Sequence, residues 1–286
     1  MQEPDKEEYY SSLDLPEIQH EAVEPTPDNP PWNSLVAIGT WSVSVFLILL
    51  IPTLFLLPYL ITLNPPIVEN EALVEFAKND PTAILLQIIS IIPAHLLTLL
   101  LAWLVVTRFR KFSFRKTLGW ESSGIKWWYY PAILIGFLVV AATVSQFFPE
   151  QDNDLLRILR SSRTAVYIVA FLATFTAPIV EEVIYRGILY SAFQRTVGIP
   201  AAFLLVTFLF ALVHVPQYYP SYSTIFLLVL LSISLTALRV KSKNLLPCII
   251  LHTLFNGFQS VMLVAQPLFE KPELKGASAF IKHLLN

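Results

Sequence analysis

Glu181, Glu182 and Arg186 stand at the end of a run, Thr164 to Val180, that carries no charged side chain. Placing an ionised carboxylate in hydrocarbon costs at least about 3 kcal/mol, so acids inside a membrane helix mark a place where a chain does chemistry or moves ions. Glu182 and Arg186 are four residues apart and can pair on one helical face, whereas Glu181, turned roughly 100° away, is left for another partner. Two more polar pairs follow at the same spacing: Phe210 with His214, and His252 with Asn256. A turn centred near Val197 and Gly198 lies about 16 residues from both Glu181 and His214, or roughly 24 Å along a helix each way. An antiparallel hairpin therefore brings Glu181 and His214 to one depth. His252 begins about ten residues past the Lys241–Lys243 turn, near 15 Å deep, so the hairpin has to protrude about 10 Å further for the levels to match.

A carboxylate and two imidazoles at one level can hydrolyse an amide. The glutamate takes a proton from water and returns it to the leaving amine, while histidines and an asparagine amide hold the tetrahedral oxyanion. The same donors, Glu181, His214 and His252, also suit zinc with one position left for water, although the His-Glu-x-x-His helix of many zinc proteases is absent. Other roles compete for each residue. Glu182–Arg186 reads equally well as a structural bridge. Glu181 has no second cation within a turn, which favours a working role. His95, two residues after Pro93, is expected to hydrogen-bond a neighbouring helix. Phe210 is expected to pack against the His214 ring and fix it. His20 and His283 receive no role.

The elements that must position these residues are membrane helices. Of the 286 residues, 55% are hydrophobic and only 14% charged, where a soluble domain carries about 25%. A span needs about 20 apolar residues, and seven segments qualify or nearly do: 35–63, 82–107, 129–148, 164–190, 199–215, 224–238 and 245–265. The first contains Pro52 and Pro58 and is expected to kink; the sixth is short enough to be sunk or re-entrant. An eighth, partial helix near Phe280–Leu285 would be interfacial at most. The expected fold is thus an all-α polytopic helical bundle with seven to eight transmembrane helices. It divides into a tail (1–34), N-terminal membrane helices (35–163), a helical core (164–265) and a C-terminal tail (266–286).

Residues 1–35 hold nine acids against one base, Lys6, and many prolines; this stretch is expected to be a disordered cytoplasmic tail without a cleavable signal. The basic loop with Arg108, Arg110, Lys111, Arg115 and Lys116, the Arg195 turn and the Arg239–Lys243 turn alternate with acidic, mixed or uncharged loops. Positive loops stay inside, which puts the N-terminus in the cytoplasm and the C-terminus outside, with Trp127 to Tyr130 as an interfacial belt. The lone cysteine, Cys248, excludes an internal disulfide and any cysteine metal cluster. No basic, aromatic-interleaved surface points to nucleic acid.

Taken in order, Glu181-Glu182-x-x-x-Arg186, Phe210-x-x-x-His214 and His252-x-x-x-Asn256 resemble the three motifs of the CAAX prenyl protease and bacteriocin-processing family. That group includes the type II CAAX endopeptidases and the abortive-infection membrane proteins. The similarity covers about residues 164–265. It implies an intramembrane endopeptidase with a cavity open to the cytoplasm. In it Glu181 activates water, His214 assists, His252 and Asn256 form the oxyanion site, and Glu182 and Arg186 support the geometry. The family has been described both as zinc-dependent and as working through glutamate without metal. The metal-free account is favoured here because the helices offer no obvious fourth ligand.

The expected activity is hydrolysis of a peptide bond near the C-terminus or membrane anchor of a protein or peptide, prenylated or not, in a multi-pass protein of a bacterial cell membrane. Two rivals stand beside it. One is a non-catalytic immunity or scaffolding protein of the same fold, which would tolerate loss of Glu181. The other is a proton- or ion-coupled carrier, which calls for inverted repeats that the sequence lacks.

Overall fold

The computed structural model describes residues 24–121 and 124–269, and these are helices joined by turns, with no β-strand among the described residues. In chain order the helices are α1 (Ser34–Ile61), α2 (Asn70–Asn79), α3 (Pro81–Ile89), α4 (Ile91–Thr107), α5 (Phe114–Leu118) and α6 (Tyr129–Phe147). Then come α7 (Asp154–Ser161), α8 (Arg163–Phe171), α9 (Ala177–Glu182), α10 (Tyr190–Tyr218), α11 (Tyr222–Ser242) and α12 (Leu246–Phe269). Two π-helical turns, Leu172–Thr176 and Val183–Leu189, flank α9 and join α8 to α10 as one continuous rod.

Local chemistry sets the starts. Asn33 accepts from the Val36 N–H at the head of α1, Asp80 from Ala83 ahead of Pro81 in α3, and Ser162 from Ala165 in α8. Each satisfies a backbone donor that the first helical turn leaves unpaired.

Among the described residues six helical stretches are long and apolar enough to cross a membrane: Ser34–Ile61, Pro81–Thr107, Tyr129–Phe147, Arg163–Tyr218, Tyr222–Ser242 and Leu246–Gln266. The Arg163–Tyr218 stretch has 56 residues and folds back on itself at Gly198, whose φ of 79° and ψ of 167° interrupt the helix. With that fold-back, the six stretches comprise seven helical segments among the described residues. The sixth expected segment is longer than its apolar stretch: α11 runs 21 residues, because Ser242, Lys241 and Arg239 continue the helix beyond Leu238. Apolar side chains such as Phe46, Leu49, Leu100, Ile135 and Leu204 remain exposed around the bundle, as on an integral membrane protein. The partial helix at Phe280–Leu285, His20 and His283 lie outside the described residues.

At the centre runs the α8–α9–α10 rod, packed against α1, α4, α11 and α12. Its neighbours approach closely because small residues face it: Ala37 of α1 and Ala102 of α4 are fully buried. A Cβ on Gly187 would meet Leu118 Cδ2 at 3.1 Å and Leu245 Cδ2 at 3.4 Å, so glycine lets the rod pass close to the α11–α12 turn. That contact also sets the levels. The hairpin tip at Gly198 lies eleven residues beyond Gly187, about 16 Å past the level of Leu245 at helical rise. Measured from the Lys241–Lys243 turn, two to four residues short of Leu245, that is about 10–13 Å, in line with the protrusion the sequence spacing requires.

Gly198 occupies a backbone region that residues with a Cβ avoid, and an added methyl group would meet nothing within 4 Å, so strain is the whole penalty of substitution. Gly198→Ala is expected to destabilise the protein by about 1–3 kcal/mol. The check is a lower thermal unfolding midpoint in detergent than that of an Ala substitution at the equally open Gly39, whose φ is not positive.

Of the expected disordered tail, residues 1–23 lie outside the described residues, and the expectation needs correction for the rest. Residues 24–33 form a strap against the hairpin and α11: Trp32 is buried and its indole N–H donates to the Ile188 carbonyl at 3.1 Å. Arg195 donates to the Pro30 carbonyl at 2.7 Å, and Ser34 meets Thr196 at 2.8 Å. Acid and proline content mislead here because Trp32, with the buried Pro25 and Pro30, supplies apolar anchors and Asp28 an ionic one.

Candidate active site

Adjacent positions on one helix give the two glutamates opposite environments. Glu182 and Arg186 are fully buried (0% exposed), while the Glu181 side chain is 21% exposed. Arg186 Nη1 donates to Glu182 Oε1 at 2.9 Å, the i,i+4 pairing expected from spacing. The rest of the guanidinium is held by α11: Nε donates to Thr236 Oγ1 at 3.3 Å, and Nη2 to Ser232 O at 3.0 Å and Ser232 Oγ at 2.8 Å. The Phe210 ring lies 4.7 Å from the guanidinium carbon, adding a cation–π contact. Buried charge is tolerated here because it is paired and the guanidinium is held on three of its nitrogens, although Glu182 Oε2 has no hydrogen-bond partner.

His252 Nδ1 sits 2.8 Å from Glu182 Oε1. That oxygen already accepts from Arg186 and belongs to a carboxylate, so the ring nitrogen donates, and His252 Nε2 is turned toward Glu181 Oε2 at 3.7 Å. His214 is fixed in the same sense. Its Nδ1 donates to the Phe210 carbonyl at 2.7 Å, and its Nε2 faces Glu181 Oε1 at 3.9 Å. In the neutral tautomer both rings thus turn a lone pair toward the Glu181 carboxylate. Three acceptor groups face one another across a gap too long for a hydrogen bond and suited to a bridging water donor.

The π-helical turns matter to this arrangement. A π turn carries one residue more than an α turn and leaves carbonyls for outside donors, which is why such turns recur at functional sites. Asn256 Nδ2 takes one of them, donating to Ala173 O at 2.9 Å, and Ser260 Oγ donates to Ala170 O at 3.2 Å. Asn256 lies one turn past His252 on α12; one of its two amide N–H groups binds the rod, so it pins α12 beside Glu181.

The rings and the acid converge from α9, α10 and α12, as spacing predicts. Phe210 packs at 4.7 Å, centroid to centroid, from the His214 ring and at 5.1 Å from Tyr185, so it steadies the ring and covers Arg186. His95 behaves as expected of a helix-to-helix polar contact, with Nδ1 2.9 Å from Thr176 Oγ1. It is also within electrostatic reach of Glu181. Tyr185 and Tyr218 complete the surroundings and are missing from the sequence reading. Tyr185 OH accepts from the Trp41 indole at 3.1 Å, and the Tyr218 ring stacks on His214 at 6.4 Å. Both stand four residues after a site residue, Glu181 and His214, a spacing that could have flagged them.

The two imidazoles approach different oxygens of Glu181, His214 Nε2 facing Oε1 and His252 Nε2 facing Oε2. Among the described residues no group of three or more His, Cys, Asp or Glu side chains is arranged to hold a metal ion.

Residues 163–258, about a third of the chain, match the family described as type II CAAX prenyl endopeptidase Rce1-like. The matched stretch begins at the first residue of α8 and ends two residues past Asn256, so it takes in all three polar motifs. No curated protein and no solved structure matches the chain.

Proposed function

We propose that this protein is an intramembrane endopeptidase that hydrolyses a peptide bond near the C-terminus or membrane anchor of a protein substrate, using water activated by Glu181. The observation that carries the reading is the convergence of Glu181, His214 and His252 within 3.9 Å, with both Nδ1 atoms tied off and both Nε2 atoms facing the carboxylate. The match of residues 163–258 to type II CAAX prenyl endopeptidases supports it.

Water between Glu181 and the rings gives a proton to the carboxylate as its oxygen attacks the scissile carbonyl. The C–O bond forms, the carbonyl π electrons move to oxygen, and the tetrahedral oxyanion needs donors. His252 would supply one only after its Nε2 takes a proton from solvent, to be given back as the intermediate collapses, with Glu182 behind Nδ1 orienting the ring in the way a carboxylate orients the histidine of a catalytic triad. The second amide N–H of Asn256 would supply another. Collapse of the intermediate breaks the C–N bond, and the proton held by Glu181 passes to the leaving amine. His214 positions the water and relays the proton. Glu182 and Arg186 hold His252 in register.

Orientation follows from which loops gather at one end. The strap, the Arg195 tip, the Arg239–Lys243 turn and the Trp128–Tyr129 stack share one end of the bundle, with Lys241 Nζ 5.1 Å from the Tyr129 ring. By the positive-inside rule that end is cytoplasmic. The reaction proceeds without a metal, and a prenylated C-terminal peptide is the first substrate to try.

The test is a purified, detergent-solubilised enzyme given a fluorogenic farnesylated peptide ending in a CAAX sequence, with the cleaved bond identified by mass spectrometry. His214→Ala is expected to lower kcat by about 10²–10⁴-fold, and combining it with a Glu181 change should add little, because the two act as one unit. Activity that vanishes with a chelator and returns with zinc would overturn the metal-free step. Proton or ion flux in liposomes without peptide cleavage would favour the carrier instead.

A further inference from the structure

We infer that Asp28 is a positioning residue of this site, acting from the N-terminal strap through the buried Arg239. The activity part of the inference rests on the endopeptidase reading above; the structural part does not.

Arg239, near the end of α11, is 1% exposed. A buried guanidinium needs its charge matched, and loss of the partner carboxylate leaves an uncompensated ion. The carboxylate within reach is Asp28, whose Oδ1 accepts from Arg239 Nη1 at 3.1 Å and from Gln194 Nε2 at 3.1 Å. Nη2 donates to the Pro27 carbonyl at 2.8 Å and to Ser191 Oγ at 3.2 Å, and the Tyr190 ring lies 5.2 Å from the guanidinium carbon. Asp28 thus ties together, at one carboxylate oxygen, the strap, the hairpin just past Gly187 and α11.

Those last two elements are the ones that hold Arg186. Ser232 and Thr236 of α11 take its Nε and Nη2, and Arg239 follows Thr236 by less than one helical turn. The two arginines form successive cross-links between the same pair of elements, Arg186 from the rod into α11 and Arg239 from α11 back to Ser191. Contacts then run without a break from Arg186 to Glu182, from Glu182 to His252, and from His252 toward Glu181. Neutralising Asp28 invites Arg239 to move toward water, which drags the end of α11 and shifts Ser232 and Thr236 against Arg186. None of these strap residues touches the reacting groups, so the effect falls on the turnover step. The strap lies outside the matched residues 163–258, yet in this chain it belongs to the working unit.

The experiment compares Asp28→Asn, Asp28→Glu, the double variant Asp28→Asn/Arg239→Met, and a control, Asp152→Asn, which breaks the surface pair to Arg160. Asp28→Asn is expected to lower kcat about 10- to 100-fold, the scale of a roughly 1 Å misplacement, with KM changed less than about twofold. Asp28→Glu should recover most of the rate, and Asp152→Asn should match wild type. The double variant removes the buried charge along with its partner and keeps the fold, but lacks the cross-link, and is expected to stay slow. Hydrogen exchange over Ser232–Arg239 should quicken in Asp28→Asn. Wild-type kcat in either Asp28→Asn or the double variant, or unchanged exchange over α11, would overturn the inference. A wild-type protein that leaves the farnesylated peptide intact while exchange still responds to Asp28→Asn would instead sink the peptidase reading and leave the mechanical coupling standing.

Discussion

Glu181→Gln protein is expected to cleave peptide about 10²–10⁴-fold more slowly than wild type, the span over which a positioned base contributes, while unfolding at the same temperature. The two halves of that result have separate origins. Glutamine keeps the size of the side chain but cannot take a proton from water. The fold is indifferent because Glu181 is partly exposed and its nearest ionisable partners, at 3.7 and 3.9 Å, lie beyond hydrogen-bond distance. Changes at sites without buried partners shift stability by less than about 0.5 kcal/mol. Peptide turnover and a melting curve on the same detergent preparation decide the matter. Full activity in Glu181→Gln would remove the acid from the mechanism. A protein with no activity before or after the change, but with a partner-binding function intact in both, would be the immunity or scaffolding factor.

Arg186→Met should do the opposite to stability. Glu182 and Arg186 are both fully buried, and removing one partner of such a pair leaves a charge without compensation, at a cost of about 3–5 kcal/mol. Ser232 and Thr236 would lose their shared partner as well. The unfolding midpoint in detergent is expected to fall steeply, or the variant to be missing from the membrane fraction. Pairing it with Glu182→Gln, so that no lone ion remains, should recover most of the stability, since exchanging a buried pair for neutral groups is often close to neutral. The double variant should still be slow, because His252 would lose the ionised oxygen that holds Nδ1. Equal stability of the single and double variants would show that the pair is not the buried ion pair described.

Helix count, membrane class and the hairpin are legible in the sequence because they depend on local or periodic properties. Apolar run length sets the crossings, and a glycine between two polar sites equidistant from it sets the fold-back: Glu181 meets His214 and Tyr185 meets Phe210 across the same turn. The i,i+4 pairing of Glu182 with Arg186 follows from helical pitch alone. The strap escapes a sequence reading for a related reason. Composition averages over a window, whereas docking of residues 24–33 rests on Trp32 and Asp28, whose partners Ile188 and Arg239 are more than 150 residues away.

By itself, then, the sequence determined an all-helical membrane bundle, the antiparallel hairpin, and the set of ionisable side chains that share a depth, because spacing along a helix converts directly into distance. Only the tertiary structure decided how those side chains divide the work. Burial against α11 turned Glu182 into a fixed partner for Arg186 and His252, and left its neighbour Glu181 partly exposed between two imidazole lone pairs. Rotation about the bundle axis, the widening of the π turns, and contacts made across long stretches of chain set that division, and none of these is encoded in the spacing of residues along one helix.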